Sequence, residues 1–159
     1  MESMFAIDPG TVESAWCEFD GERVLSSAKE PNEQVLSRLR ELPIQPVAIE
    51  MVASYGMPVG REVFETVLWT GRFYEALRHN GLAPGLTYRL AVKIHLCGTA
   101  KAKDANIRQA IIDRFPGTGG GAIPQIGTKK QPGPLYGVSG DIWAALAVAI
   151  YNWDLLSAA

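Results

Sequence analysis

Met4-Phe5-Ala6-Ile7-Asp8-Pro9-Gly10 is a short apolar run that ends in an acid and is stopped by a Pro-Gly turn signal. A run so short and so apolar is the mark of a strand covered on both faces. The same pattern returns in Pro46-Val47-Ala48-Ile49-Glu50. If the two strands lie in one sheet and run the same way, Asp8 and Glu50 emerge side by side at its carboxyl edge, where open α/β sheets place their sites. A third acid, Asp141, opens a helix whose next residues, Ile142-Trp143-Ala144-Ala145-Leu146, are almost wholly apolar. Such a helix packs on the sheet and brings Asp141 towards the other two. Three clustered, partly buried carboxylates repel one another unless they share a proton or hold cations. An all-oxygen set suits Mg²⁺ or Mn²⁺. Taken singly, each acid has a plainer reading: Asp8 as a turn former, Glu50 as the wet end of a strand, Asp141 as a helix cap.

Outward from these anchors, residues 12–19 and 22–28 read as strands around the hairpin signal Asp20-Gly21. Pro31 opens a helical pattern with Val35, Leu36, Leu39 and Leu42 apolar. A loop from Ser54 to Gly60 leads to the longest helix, about 61–80, stopped by Asn80-Gly81. Residues 84–97 read as extended or mixed structure, 103–115 as a helix and 140–156 as the last helix. Between those two helices, residues 116–138 carry seven Gly and four Pro, the composition of a mobile loop. The expected architecture is one α/β domain over residues 1–159, in the order β-β-β-α-β-α-(β)-α-α.

Composition narrows the class. The chain is 47% hydrophobic and 20% charged over 159 residues, enough apolar surface for one core. No apolar run reaches the ~18 residues of a membrane span, and the N-terminus has no positively charged leader pattern. Cys17 and Cys97 lack metal-ligand spacing and read as reduced thiols, so the expected location is cytoplasmic. The net charge of −2 hides an asymmetry. Residues 72–130 hold 10 basic and 3 acidic side chains, whereas residues 1–60 hold 4 basic and 10 acidic. A basic face for a polyanion beside an acidic pole for cations is one reading; chance clustering on a solvated surface is the other.

Ile7-Asp8-Pro9-Gly10, Ala48-Ile49-Glu50 and Gly140-Asp141-x-x-Ala144-Ala145-Leu146-Ala147, in this order, resemble the RuvC family of Holliday junction resolvases. Val92-Lys93, Gly98 and Ala102-Lys103-Asp104, leading into Ile107 and Ile111, are similar to the family's middle section. The likeness spans about residues 4–152, and its wording is closest to phage members. It implies a ribonuclease-H-like fold with a mixed five-stranded sheet flanked by helices. It also implies a homodimer built through the helix at about 61–80, and cleavage of four-way DNA junctions with two Mg²⁺ ions, Mn²⁺ substituting. Nicks would be paired and symmetric, leaving 5′-phosphate and 3′-hydroxyl ends. Asp8, Glu50 and Asp141 match three family carboxylates. The fourth ligand position, one helical turn before the last acid, is Val138, which binds no metal. Asp104 is the candidate replacement; its plainer role is a helix cap, with Asn106 beside it. The family's aromatic wedge corresponds to Ala53, flanked by Tyr55 and Met57, so Tyr55 is the candidate for stacking on a base.

Lys93, Lys101, Lys103 and Arg108 are the expected phosphate contacts, joined by Lys129 and Lys130 from the glycine-rich segment. Lys93 reads as lying between strand-like Val92 and Ile94. His79 and His95 have no ligand spacing and read as structural. Three other functions compete. Asp8-Pro9-Gly10-Thr11 is also the phosphate-loop wording of actin-like ATPases, which close two such domains on a nucleotide where this length has room for one. A non-catalytic scaffold for branched nucleic acid is the second, and a nuclease for other branched DNA or RNA the third.

Overall fold

Strand β1 (Met4–Asp8) lies in the middle of a five-stranded sheet. A computed structural model describes residues 1–159. Strands β2 (Glu13–Phe19) and β3 (Val24–Pro31) run antiparallel on one side of β1. On the other side, β4 (Val47–Met51) and β5 (Gly85–Tyr88) are parallel to it, giving the order β3-β2-β1-β4-β5. The α/β sandwich expected from the residues, and the mixed five-stranded sheet that the resemblance implied, are the ones observed. Helices α1 (Asn32–Arg40) and α2 (Arg61–His79) cover one face. Helices α3 (Arg89–Cys97), α4 (Asp104–Arg114) and α5 (Ile142–Ala158) cover the other. No helix is long and apolar enough to cross a membrane.

Strand alternation sorts the core into two layers. Phe5, Ile7, Trp16, Val47 and Ile49 meet α1 and α2, around buried Phe73 and Leu77. Met4, Ala6, Ala15, Cys17 and Ala48 face α5. Small side chains on that sheet face share one core with Ala145 and Ala149, one turn apart on α5, so the helix can lie close on β1 and β2.

Three segments depart from the sequence reading. Residues 84–97 divide into β5 and α3, and Lys93 sits on the helix rather than between strand residues. Branched Val92 and Ile94 carry strand propensity, but propensity is a weak prior against packing. Here Val92 is buried on α3, and Gly98, at φ 73°, closes the helix by donating its N–H to the Ile94 carbonyl. Strand β3 continues to Pro31, past the expected end at residue 28; the missing N–H of Pro31 is harmless on an edge strand.

The 116–138 segment, composed like a mobile loop, is folded on itself. Gly119 donates to Pro124, Gly120 to Gln131, Gly133 to Ile126 and Leu135 to Gln125, while Val24 of β3 donates to Pro134. A Cβ on Gly127 or Gly133 would lie 2.4 or 2.3 Å from a backbone oxygen. Those glycines therefore serve close backbone approach rather than freedom. Leu135 and Val138 are buried in the core under α5.

Candidate active site

The register of the central strands makes the site. Ala6 pairs with Ala48 and Ile7 with Ile49 in parallel, so Asp8 and Glu50 are the next residues along on adjacent strands. Both share the parity of Ala6 and Ala48 and therefore face α5. That helix begins above them, with Asp141 at its N-terminus. Asp8, Glu50, Asp104 and Asp141 line one cavity of about 310 Å³, together with Met51, Tyr55 and Arg89.

The turn after Asp8 is held by a small polar clasp. Gly10 donates to Ser14 Oγ (3.0 Å), Ser14 donates to Asn32 Oδ1 (2.6 Å), and Asn32 Nδ2 donates to the Gly10 carbonyl (2.9 Å). Ser14 and Asn32 are buried, and a Cβ on Gly10 would meet the Glu13 carbonyl at 2.2 Å. The Asp-Pro-Gly wording is thus needed for the close turn that fixes where Asp8 points.

The plainer roles of the two helix-terminal acids are not the ones seen. The Asp141 side chain makes no capping hydrogen bond to α5; its Oδ2 lies 2.7 Å from Lys29 Nζ, at the end of β3. Asp104 is the first residue of α4, whose cap position is Lys103, and Asn106 Oδ1 accepts the Lys103 N–H (2.9 Å). Both carboxylates are left for other partners. Arg89, the first residue of α3, takes one of them: it donates to Glu50 Oε1 at 3.2 Å and to Asp104 Oδ1.

Electrostatics mark the centre of the cavity. Burial first, then a hydrogen bond shared with Glu50 and the charges of Glu50 and Asp141, push the Asp8 carboxyl up to about 9, against the pull of Arg89. Burial works against the charge of Arg89, but Glu50 and Asp104 more than restore it. The hydrogen bond to Asp141 raises Lys29.

The donor set suits a hard divalent cation: all oxygen, four acids around one cavity, and a buried carboxyl that a cation would let ionise. As placed, no three of these groups converge on one point, because Glu50 and Asp104 turn to Arg89 and Asp141 turns to Lys29. The residues fit such an ion once those basic side chains release them.

The other sequence candidates are dispersed. Tyr55, exposed and at φ 50°, stands at the cavity rim. Arg108, one turn after Asp104 on α4, borders an adjoining hollow with Gly140 and Trp143. Lys93 is one turn after Arg89 on α3, half-buried, while Lys101 and Lys103 are exposed just before α4. The fold around Lys129 and Lys130 is anchored through Pro134 to Val24 and borders Gly21 and Arg23. Val24 is at the end of the sheet opposite the carboxylates, and neither Lys129 nor Lys130 lines the cavity. None of these six basic side chains is in an ion pair.

Arg89 and Lys29 are absent from the sequence reading. Arg89 lies inside the basic 72–130 stretch, a signal that was available, but nothing local distinguishes it from its basic neighbours. Elsewhere, His95 Nε2 lies 2.6 Å from Asp154 Oδ2, and Arg114 also grips Asp154, which is a structural tie among α3, α4 and α5. Cys17 is buried, which pushes its thiol upward, and Cys97 is also unpaired.

No protein-family model and no curated protein matches the sequence. Solved structures do match. Thermus thermophilus RuvC superposes with a TM-score of 0.68 at 16% identity, over 98% of this chain and 96% of that one. The T. thermophilus RuvC structure in complex with a Holliday junction substrate gives 0.66 at 17% identity, over 98% and 95%. The similarity covers both chains almost end to end, and what it establishes is the fold: this chain has the same α/β fold as those RuvC structures.

Proposed function

We propose that this protein is a divalent-metal-dependent endonuclease that cleaves four-way DNA junctions. The observation that carries the reading is the meeting of Asp8, Glu50, Asp104 and Asp141 in one cavity at the carboxyl edge of the sheet. The fold shared with RuvC, one of whose structures holds a Holliday junction, points to the substrate. Asp8, Glu50 and Asp141 would hold Mg²⁺, or Mn²⁺ in its place, with Asp104 supplying the ligand that Val138 cannot. Two such ions, when bound, supply charge stabilisation for an activated water and for the leaving 3′ oxygen.

The protein's own groups do the rest. The β1–β4 register holds Asp8 and Glu50 together, and the Gly10–Ser14–Asn32 clasp keeps the Asp8 turn rigid. Lys93, Lys101, Lys103 and Arg108 neutralise phosphates near the cavity, with Lys129 and Lys130 contacting a more distant duplex arm. Tyr55 stacks on a base at the branch point. Exposed Phe64 (65%) and Leu68 (63%), one turn apart on α2, support a homodimer through that helix. A two-fold dimer delivers paired nicks to a two-fold junction. The resemblance of its wording to phage members supports reading it as a phage enzyme acting in the host cytoplasm.

The test is cleavage of a synthetic four-way junction beside a linear duplex of the same sequence, without metal and with Mg²⁺ or Mn²⁺. Paired symmetric nicks on the junction alone are expected. Asp8→Asn and Asp104→Asn should keep junction binding and lose cleavage. Binding without nicks in either metal would instead make the protein a branched-DNA scaffold.

A further inference from the structure

Arg89 is the one basic residue that lines the carboxylate cavity. Its guanidinium spans Glu50 on β4 and Asp104 on α4, two acids brought together only by the fold. The side chain is one-third exposed, and its Glu50 partner is nearly buried. Helix energetics do not explain its position: a cation in the first turn opposes the helix dipole, and α3 has no acid there to offset it. An arginine fork is, however, the side chain suited to bridging two carboxylates.

We propose that Arg89 is a resident counter-cation of this site. In the metal-free protein it neutralises Glu50 and Asp104, and it competes with a divalent ion for the same oxygens. The strength of its grip therefore sets the metal concentration at which the cavity fills. Lys29 plays a lesser part at Asp141, because that pair lies in solvent. The inference rests on the metal-binding reading of the carboxylates.

Competition and support predict opposite signs. The experiment is calorimetric titration of Mn²⁺ and Mg²⁺ into the metal-stripped full chain, without DNA, paired with melting in EDTA. Arg89→Gln should bind the ions about fivefold tighter than wild type, since a partly exposed pair no longer has to be broken. Its metal-free melting temperature should fall at the same time, because Glu50 and Asp104 lose their partner. Arg89→Lys keeps the charge but cannot fork, and should bind about twofold tighter. If Arg89→Gln does not fold, the lysine variant decides alone.

A purely structural arginine would lower stability and affinity together. Wild-type binding that the variants leave unchanged or weaken overturns the role of Arg89 and leaves the metal reading standing. No binding by wild type or variants overturns the metal reading itself, and the competition with it. Binding by Arg89→Gln where wild type shows none supports the proposal in its strongest form.

Discussion

Replacing Asp8 with Asn should stabilise the metal-free protein. The Asp8 carboxyl titrates at an ordinary 3.8 when exposed and is pushed up to about 9 in the fold. An acid raised in this way binds its proton more tightly when folded. Its contribution is most favourable below the unfolded value and is lost progressively as pH rises through the window from 3.8 to about 9. Each unit is worth about 1.36 kcal/mol, so roughly 3 units between the unfolded value and neutrality cap the penalty at about 4 kcal/mol. The cavity opens to solvent, which screens these charges and leaves about 1–2 kcal/mol at pH 7.5. Asparagine has the same shape and carries no charge.

Thermal unfolding followed by circular dichroism in EDTA should therefore show Asp8→Asn melting about 3–6 °C above wild type at pH 7.5. The difference should shrink towards zero near pH 4, where both side chains are neutral. Adding Mg²⁺ should raise the wild type more than the variant. A variant that melts at or below wild type at pH 7.5, or a difference that shrinks as pH rises, would show that Asp8 is not strained by its neighbours.

Two further outcomes follow from the same geometry. Val138 is 4% exposed within the core, so Val138→Asp should cost about 3 kcal/mol or more by urea unfolding, because it buries an unpaired charge instead of adding a ligand; a stable variant with tighter metal binding would contradict this. Burial pulls the Asp154 carboxyl up, but its bonds to Arg114 and His95 outweigh that and hold it below the usual 3.8, so its contribution is present above that value and is lost as pH falls. Asp154→Asn should cost about 1 kcal/mol at pH 7 by the same unfolding assay, with little difference from wild type in strong acid.

Asp104 shows how far each kind of information reaches. Its type and its place before an amphipathic segment were legible, and so were two competing roles for it. The fold assigns the cap to Lys103 and Asn106 and turns Asp104 to Arg89. Lys93 shows the opposite failure: branched neighbours read as a strand, while the packing of Val92 and the Gly98 terminus make a helix. In residues 116–138, composition is silent on whether glycines loosen a chain or let it fold tightly.

The sequence by itself determined the strand-then-acid pattern at Asp8 and Glu50, the apolar helix behind Asp141, the mixed α/β layering and the basic middle. These follow from local periodicity and from residue chemistry, which need no partner to be read. The tertiary structure alone decided that Asp8 and Glu50 face the same helix, since that depends on the parallel pairing of Ala6 with Ala48. It alone placed Arg89 between Glu50 and Asp104 and Lys29 against Asp141. An ion pair between distant residues leaves no local pattern; it exists only once the strands have set their register and the helices have closed over them.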